Sequence, residues 1–375
     1  MRVMLLCDVL SRGARGGAER VVLELGRELT RRGGETATIL PATAHTAETL
    51  AELGSAGFEA RTARSLLPVD VRRRFIDVWR LARLVREWRP DVVSLHTGCQ
   101  WLRIKDVAAA ALGGSPCVVT VHGGERFESE LQRRRTRRAA LLARRLVVHG
   151  SMVKRSLAAA GIEPHRIDFV PCGVPEPRVR PSRAAARERL GVPPDAFVVS
   201  TLARLVLRKG VADLLAAFGR LRARGDGARL LVGGDGPERT TLEAVSRSTG
   251  SKAHFLGELA DPSDLYAASD VFVLPARQEA FGLVYIEAAH HGVPSIGVST
   301  DGTADAIVHD VTGLLVRPGA IDELAASIAR LEDDAALGIR LGEAARRRAR
   351  DAFSVAAMTD GYLKTFTAAL GSVAA

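Results

Sequence analysis

Two carboxylates eight residues apart, Glu279 and Glu287, flank the short turn Ala280-Phe281-Gly282-Leu283. The stretch reads as a loop leaving a strand and then a helix opening near Gly282. That places Glu279 on the loop and Glu287 in the second helical turn. One carboxylate can accept two hydrogen bonds, which suits Glu287 to the paired hydroxyls of a ribose and Glu279 to the hydroxyls of a sugar. The free N–H groups near Gly282 and Leu283 suit a phosphate. A second segment carries Arg204 and Lys209 on one loop, just before a helix opens at Gly210. A planar guanidinium fork and a compact ammonium complement pyrophosphate oxygens. Two such fixed cations beside a helix start could stabilise a departing diphosphate with no metal ion.

Two weaker signals lie nearer the N-terminus. Gly16 and Gly17 stand between a first apolar run and a helical pattern, where adjacent glycines let the backbone approach a phosphate. The loop is neither a G-x-G-x-x-G fingerprint nor a P-loop ending in Lys-Ser/Thr, which excludes an ordinary nicotinamide oxidoreductase and a P-loop NTPase. His122, followed by Gly123 and Gly124, closes another apolar run and projects from a strand end. No Asp, His or Cys grouping has metal-ligand spacing and no Asp-x-Asp stands at a strand end, so neither metal nor cofactor is expected.

These loops need strands to hold them. Apolar, β-branched runs cover 2–7, 35–40, 91–95, 117–121, 145–149 and 167–170, and then 197–202, 228–233, 253–256, 271–274, 293–298 and 313–316. Helical patterns such as 18–32 and 71–88 fill the gaps, an alternation that implies parallel sheets wound on both faces. At 375 residues the chain is long enough for two such domains. Prolines 171, 175, 177, 181, 193 and 194 punctuate the middle. The expected division is a first domain over 1–173, a Pro-rich linker over 174–194 and a second domain over 195–354. A final helix in 355–375 returns to the first domain. Ligands of doubly wound sheets sit at the carboxyl ends of the strands, so the two domains are expected to face each other across a cleft.

The bulk figures narrow the class further. The chain is 47% hydrophobic and 26% charged, with a net charge of +10 and only five lysines beside 48 arginines. A basic balance favours anionic partners, among them nucleotides and acidic lipid headgroups. No aromatic-interleaved basic motif of the nucleic-acid-binding kind occurs, so nucleic acid is not expected as a partner. No apolar run reaches the length of a membrane span, and the first residues are too short a run for a signal peptide. Cys7, Cys99, Cys117 and Cys172 are scattered with no C-x-x-C pair, which fits a reducing cytoplasm. The basic stretch 71–88 could touch the inner face of an acidic membrane as a peripheral contact, or simply cover a sheet with its charges in water.

The ordered set of short motifs resembles the retaining glycosyltransferases of family 4 over nearly the whole chain. It runs through Gly16-Gly17-Ala18-Glu19-Arg20, Arg89-Pro90-Asp91-Val92, Val121-His122-Gly123, Pro171-Cys172-Gly173-Val174 and Arg204 to Lys209-Gly210. It continues through Gly234-Asp235-Gly236-Pro237, Phe255-Leu256-Gly257, the Glu279-to-Glu287 segment, Gly292-Val293-Pro294 and Thr312-Gly313-Leu314-Leu315-Val316. The resemblance implies the two-domain GT-B fold and transfer of a sugar from a nucleotide diphosphate, or monophosphate, donor with retained anomeric configuration. It implies Arg204 and Lys209 on the diphosphate and Glu287 on the ribose. Glu279, Ala280, Phe281, Gly282 and Leu283 would lie at the donor sugar, His122 on that sugar, and Gly16 and Gly17 near donor phosphate or acceptor. The acceptor it leaves open, as a secondary metabolite or an envelope glycan or lipid. Departures are Ala280 where the family has glycine, Cys172 where it has Asn, and Ser299-Thr300-Asp301-Gly302-Thr303-Ala304-Asp305 in place of a glycine-rich loop. Front-face departure and a covalent glycosyl-enzyme on Glu279 are both open, as are the alternatives of a nucleotide-sugar epimerase or a non-catalytic nucleotide-sugar binder.

Overall fold

A computed structural model of the chain describes residues 1–7, 17–41, 59–63, 74–97, 104–123, 130–223, 225, 227–300 and 302–371. Gly16, Cys99, Gly124, Asp301 and residues 71–73 of the basic stretch lie outside these. The chain divides into two compact units, Met1–Pro175 with Ser354–Ala375, and Glu176–Phe353.

The first unit is built on β1 (Arg2–Cys7), β2 (Glu35–Pro41), β3 (Glu59–Ala63), β4 (Val92–Thr97), β5 (Cys117–Val121), β6 (Arg145–Val148) and β7 (Ile167–Phe169). They form one parallel sheet in the order β3-β2-β1-β4-β5-β6-β7. Strands β1 and β5 are buried and almost entirely apolar, as strands covered on both faces tend to be, whereas β4 between them is buried but carries Ser94, His96 and Thr97. The one strand without an apolar run is β3, whose sequence Glu-Ala-Arg-Thr-Ala carries no hydrophobic signal. It holds the sheet edge, where polar side chains are tolerated and discourage further pairing.

Helices α1 (Gly17–Arg31), α2 (Arg74–Trp88), α3 (Ile104–Leu112), α4 (Glu130–Leu142) and α5 (Ser151–Ala159) connect these strands. Val21, Val22, Leu25 and Leu29 recur at helical spacing and bury one face of α1. Leu81, Ala82 and Val85 of α2 join the core beneath the sheet, so this basic helix is a sheet-covering helix with Arg80, Arg83 and Arg86 outward.

The second unit contains β8 (Phe197–Leu202), β9 (Ala228–Gly233), β10 (His254–Gly257), β11 (Val271–Leu274), β12 (Ser295–Val298) and β13 (Gly313–Val316), in the order β10-β9-β8-β11-β12-β13. Its helices are α6 (Arg183–Arg189), α7 (Val211–Arg222), α8 (Arg239–Ser248), α9 (Ser263–Ala268), α10 (Leu283–His290), α11 (Thr303–Ala306), α12 (Ile321–Asp333) and α13 (Ala335–Ala352). The stretch expected as a linker over 174–194 departs from that reading, because it contains α6. No proline falls between Ser182 and Val192, so Ser182 can cap the helix, its side chain accepting from the Ala185 N–H at 3.2 Å. Arg187 is then buried against Asp270 at 2.8 Å and the Ala268 carbonyl at 3.2 Å.

The chain's last helix, α14 (Val355–Gly371), belongs to the first unit. Met358, Tyr362, Phe366 and Ala369 form its buried stripe. Gly173 lies so close beneath it that a Cβ there would meet the Val355 Cα at 2.7 Å. Among the described residues, no helix is long and apolar enough to cross a membrane.

Candidate functional site

In the second unit the loops leaving β8 and β11 are fastened to each other by backbone. Gly210 ends a turn of 3-10 helix with φ 68°, and a Cβ on it would lie 2.1 Å from the Pro275 carbonyl oxygen. Only glycine supports both the left-handed backbone and that approach. Alongside, the Arg277 N–H donates to the Arg208 carbonyl at 2.9 Å. The consequence is an ion pair across the two loops, Lys209 Nζ to Glu279 Oε2 at 2.5 Å, with both side chains mostly buried. The residue expected on a phosphate and the residue expected on a sugar are therefore direct neighbours.

Arg204 is placed by a third loop. The Ala203 N–H donates to Gly233 O at 3.2 Å and the Leu205 N–H to Asp235 O at 2.8 Å, one bond on each side of Arg204. A Cβ at Gly234 or Gly236 would fall 2.0 Å from Ala203 O or 2.4 Å from Leu205 O. These glycines thus act as a brace for the Arg204 backbone. The Arg204 side chain is exposed, with no ion-pair partner among the described residues.

The turn Ala280–Leu283 is clasped from the other side. The Gly302 N–H donates to Glu279 O at 3.0 Å, and a Cβ on Gly302 would lie 1.9 Å from Ala280 O. Gly282, with φ 85°, caps α10 against the ring of Tyr285, whose hydroxyl donates to Leu274 O at 2.7 Å. The Phe281 side chain, in the segment expected at the donor sugar, points into the core. It is buried edge-on to Phe353 at 5.3 Å, because an aromatic beside the turn finds its apolar contacts in the core. Any ligand role for Phe281 falls to its backbone.

Glu287 lies in the second turn of α10, as the spacing implied, and is buried. Its Oε2 accepts from the Tyr266 hydroxyl at 2.7 Å. Tyr266, on α9, was not legible as a site residue because nothing in its local sequence marks it. Its ring is stacked between Phe272 at 5.6 Å and His291 at 5.5 Å, which fixes the hydroxyl on Glu287.

Arg204, Lys209, Glu279, Ala280, Gly282, Leu283 and Glu287 therefore share the carboxyl-terminal side of one sheet. Gly17 and His122 belong to the first unit. Gly17 is the first residue of α1, and Gly16 lies outside the described residues. His122 follows β5 and meets two further histidines that sequence reasoning missed. His122 Nε2 stands 3.0 Å from His96 Nδ1, and His96 Nε2 stands 3.0 Å from Ser94 Oγ. The His149 ring is 4.9 Å from that of His122, and its Nδ1 donates to Val170 O at 2.7 Å. Tyr362 of α14 closes the group with rings 5.9 Å from His96 and 6.3 Å from His149. Burial holds the imidazoles neutral, with His96 pushed down to about 3, His149 to about 4 and His122 well below its ordinary value. The histidines stand at the carboxyl ends of three adjacent strands, His96 one residue before the end of β4 and His122 and His149 just after β5 and β6, a repetition the sequence does carry. Among the described residues, no group of three or more His, Cys, Asp or Glu is arranged to hold a metal ion.

The model of "Glycosyltransferase Family 4" matches residues 15–178 and that of "Glycosyl transferases group 1" matches residues 182–348. A lipopolysaccharide core biosynthesis glycosyltransferase, LpsD of Rhizobium meliloti, is 30% identical over 94% of this chain and 96% of its own. The chain belongs to glycosyltransferase family 4. Among other relatives of this glycosyltransferase is a GDP-mannose-dependent phosphatidylinositol monomannoside mannosyltransferase of Mycobacterium tuberculosis, 32% identical over 72% of this chain and 74% of the relative. Its fold is that of Anabaena HepE in complex with UDP and glucose, with a TM-score of 0.82, 22% identity and coverage of 97% and 99%. WaaG, a glycosyltransferase involved in lipopolysaccharide biosynthesis, aligns with a TM-score of 0.69. The family 4 enzyme thus has the GT-B arrangement of two Rossmann-like parallel sheets.

Proposed function

We propose that this glycosyltransferase moves a sugar from a nucleotide diphosphate sugar to an alcohol acceptor with retention of configuration, holding the donor in its second unit and using no metal ion. Arg204 and Lys209 take the diphosphate, Glu279 and the backbone of 280–283 take the sugar, and Glu287 takes the ribose. His122 contributes a hydrogen bond to the sugar. The observation that carries this reading is the 2.5 Å contact between Lys209 and Glu279. It sets a phosphate-type cation and a sugar-type carboxylate within one ligand's reach, on loops that backbone contacts hold in place. As the diphosphate leaves, its growing charge meets Arg204 and Lys209, which supply the stabilisation a metal would otherwise give. Because Glu279 is paired with Lys209 and assigned to sugar hydroxyls, front-face departure is favoured over a covalent intermediate on Glu279. HepE was solved with UDP and glucose, and this supports a uridine or related nucleotide sugar as the first donors to try. The test is a panel of nucleotide sugars, reading nucleotide release with and without alcohol acceptors. Donor binding with neither release nor transfer would leave only a nucleotide-sugar binder, and a change of sugar configuration without transfer would mean an epimerase.

One surface feature favours a lipid-linked acceptor. Helix α4 sets five arginines against the single acid Glu130 and exposes Leu131, Leu141 and Leu142. Basic charge beside exposed aliphatic side chains suits an anionic membrane surface, where such an acceptor would be found. Sedimentation with anionic but not neutral vesicles is the expected outcome. Equal behaviour with both would favour a soluble acceptor.

A further inference from the structure

We infer that Ser94 and His96 are positioning residues that fix His122 in a single tautomer, with its Nδ1 carrying the proton and acting as a neutral hydrogen-bond donor. The inference rests on the reading that His122 meets the donor sugar, and extends it to the groups behind that residue.

The three groups stand in line: Ser94 Oγ to His96 Nε2 at 3.0 Å, then His96 Nδ1 to His122 Nε2 at 3.0 Å. Both rings are neutral, so each carries one proton and the line has two consistent states. In the first, the serine hydroxyl donates to His96, and His96 Nδ1–H donates to His122 Nε2. The remaining proton of His122 then sits on Nδ1. In the second, every bond is reversed, His122 Nδ1 is bare, and His96 donates to the serine oxygen.

Ser94 decides between them. Its side chain is fully buried, and among the described residues its hydroxyl has no hydrogen-bond partner other than His96. The reversed state would leave the hydroxyl proton of a buried serine with no acceptor, and such a donor is expensive to leave unpaired. The first state leaves only oxygen lone pairs unused, a much smaller loss. His149 is excluded as a competitor for this role. Its Nδ1 must donate to Val170 O, so its Nε2 is a bare acceptor, buried and without a partner. It therefore has no proton to offer His122. Tyr362 is engaged at 3.1 Å with Thr120, and its ring packs tilted 5.9 Å from that of His96. The second nitrogen of a histidine sets the tautomer of the first, and here that control begins two residues away in a serine. The ligand atom that fits is an acceptor oxygen of a sugar or a phosphate.

The test reads the ring nitrogens of the full-length protein by 15N NMR after histidine labelling. His122, assigned by its loss in His122→Gln, is expected with the proton on Nδ1. A proton on Nε2 in the wild-type protein overturns the inference, whatever the variants do. His96→Asn places an N–H where Nδ1 stood and should keep the tautomer, whereas His96→Leu should release His122 toward the Nε2 form. Transfer by His96→Leu should fall about three- to tenfold in kcat/KM, the range of one neutral hydrogen bond, with most of it regained in His96→Asn. Equal losses in both with the tautomer unchanged would mark His96 as merely structural and overturn the positioning role. If His122→Ala transfers at the wild-type rate, the sugar contact fails, and the NMR result still decides the tautomer.

Discussion

The two units present opposite chemistry at the ends of their central strands. The first gathers three neutral imidazoles and a tyrosine, His96, His122, His149 and Tyr362, in a buried cluster with no carboxylate among its hydrogen-bond partners in the described residues. The second gathers full charges, Lys209 paired with Glu279 and Arg204 exposed. Burial explains the difference. A ring loses its charge when water is removed, whereas an ion survives partial burial only beside a counter-ion. Neutral donors and acceptors suit hydroxyls, and fixed cations suit phosphates.

The comparison is broken most severely by acid. His96 and His149 are held down to about 3 and 4, below the ordinary 6.5, and His122 is lowered as well. Above pH 6.5 neither the folded nor the unfolded state binds these protons. As pH falls below 6.5 the unfolded chain takes them up and the folded unit does not, so stability drops by about 1.4 kcal/mol per pH unit for each histidine until the folded values are reached. Glu28 in the same unit, held to about 2 by Arg31 and Arg32, adds its loss only below about 4.5. In the second unit, His291 is also held down, to about 4. All three tryptophans, Trp79, Trp88 and Trp101, lie in the first unit. Tryptophan fluorescence should therefore report an unfolding transition between pH 6.5 and 4 that precedes loss of the second unit's tyrosine signal. Both units holding to pH 4, or the second failing first, would contradict the neutral-cluster description.

Removing the charges is the next largest effect. Arg204→Ala or Lys209→Ala should each lower transfer by about 100-fold, as loss of a transition-state contact to a leaving group does. Lys209→Ala also strips Glu279 of its counter-ion, so its donor binding should weaken beyond that of Arg204→Ala. Wild-type turnover in the double variant would remove the diphosphate from this loop.

Much of this is legible in the sequence. Twelve apolar runs mark twelve of the thirteen described strands, the edge strands β7, β10 and β13 among them. The edge strand β3 was silent because an edge needs no such pattern. The spacing of Glu279 and Glu287 fixed one on a loop and the other in a helix. It could not reveal Tyr266 on Glu287, or the Lys209–Glu279 pair, because both depend on contacts between elements distant in sequence. Helix α6 was hidden by the prolines on either side of it. Gly302, which clasps Ala280, was visible only as a departure from the family's loop.

Glu287 sharpens the comparison on a smaller scale. Glu287→Gln keeps the shape and removes the charge, so nucleoside diphosphate affinity by calorimetry should fall about tenfold with the circular dichroism unchanged. Tyr266→Phe leaves the carboxylate in place but frees its Oε2 from the 2.7 Å bond, and should change affinity by only a few-fold. Equal affinity in wild type and Glu287→Gln would move the ribose elsewhere.

The smallest effect expected is none at all, and it tests the charged half of the comparison directly. A departing diphosphate needs positive charge within hydrogen-bond reach, and that charge can come from a divalent ion or from side chains. In the second unit the side chains are Arg204, braced by bonds on both sides of its backbone, and Lys209, held where Gly210 meets Pro275. Backbone contacts set the places of both residues, and transfer is therefore expected to proceed without a divalent ion. Transfer rates before and after dialysis against EDTA should agree within error. Abolition by chelator with rescue by magnesium or manganese would mean that the two side chains are insufficient, and that carboxylates now read as sugar or ribose contacts serve a metal instead. The Arg204→Ala variant adds a control on the same question, since a metal-independent enzyme weakened there should gain little from added magnesium.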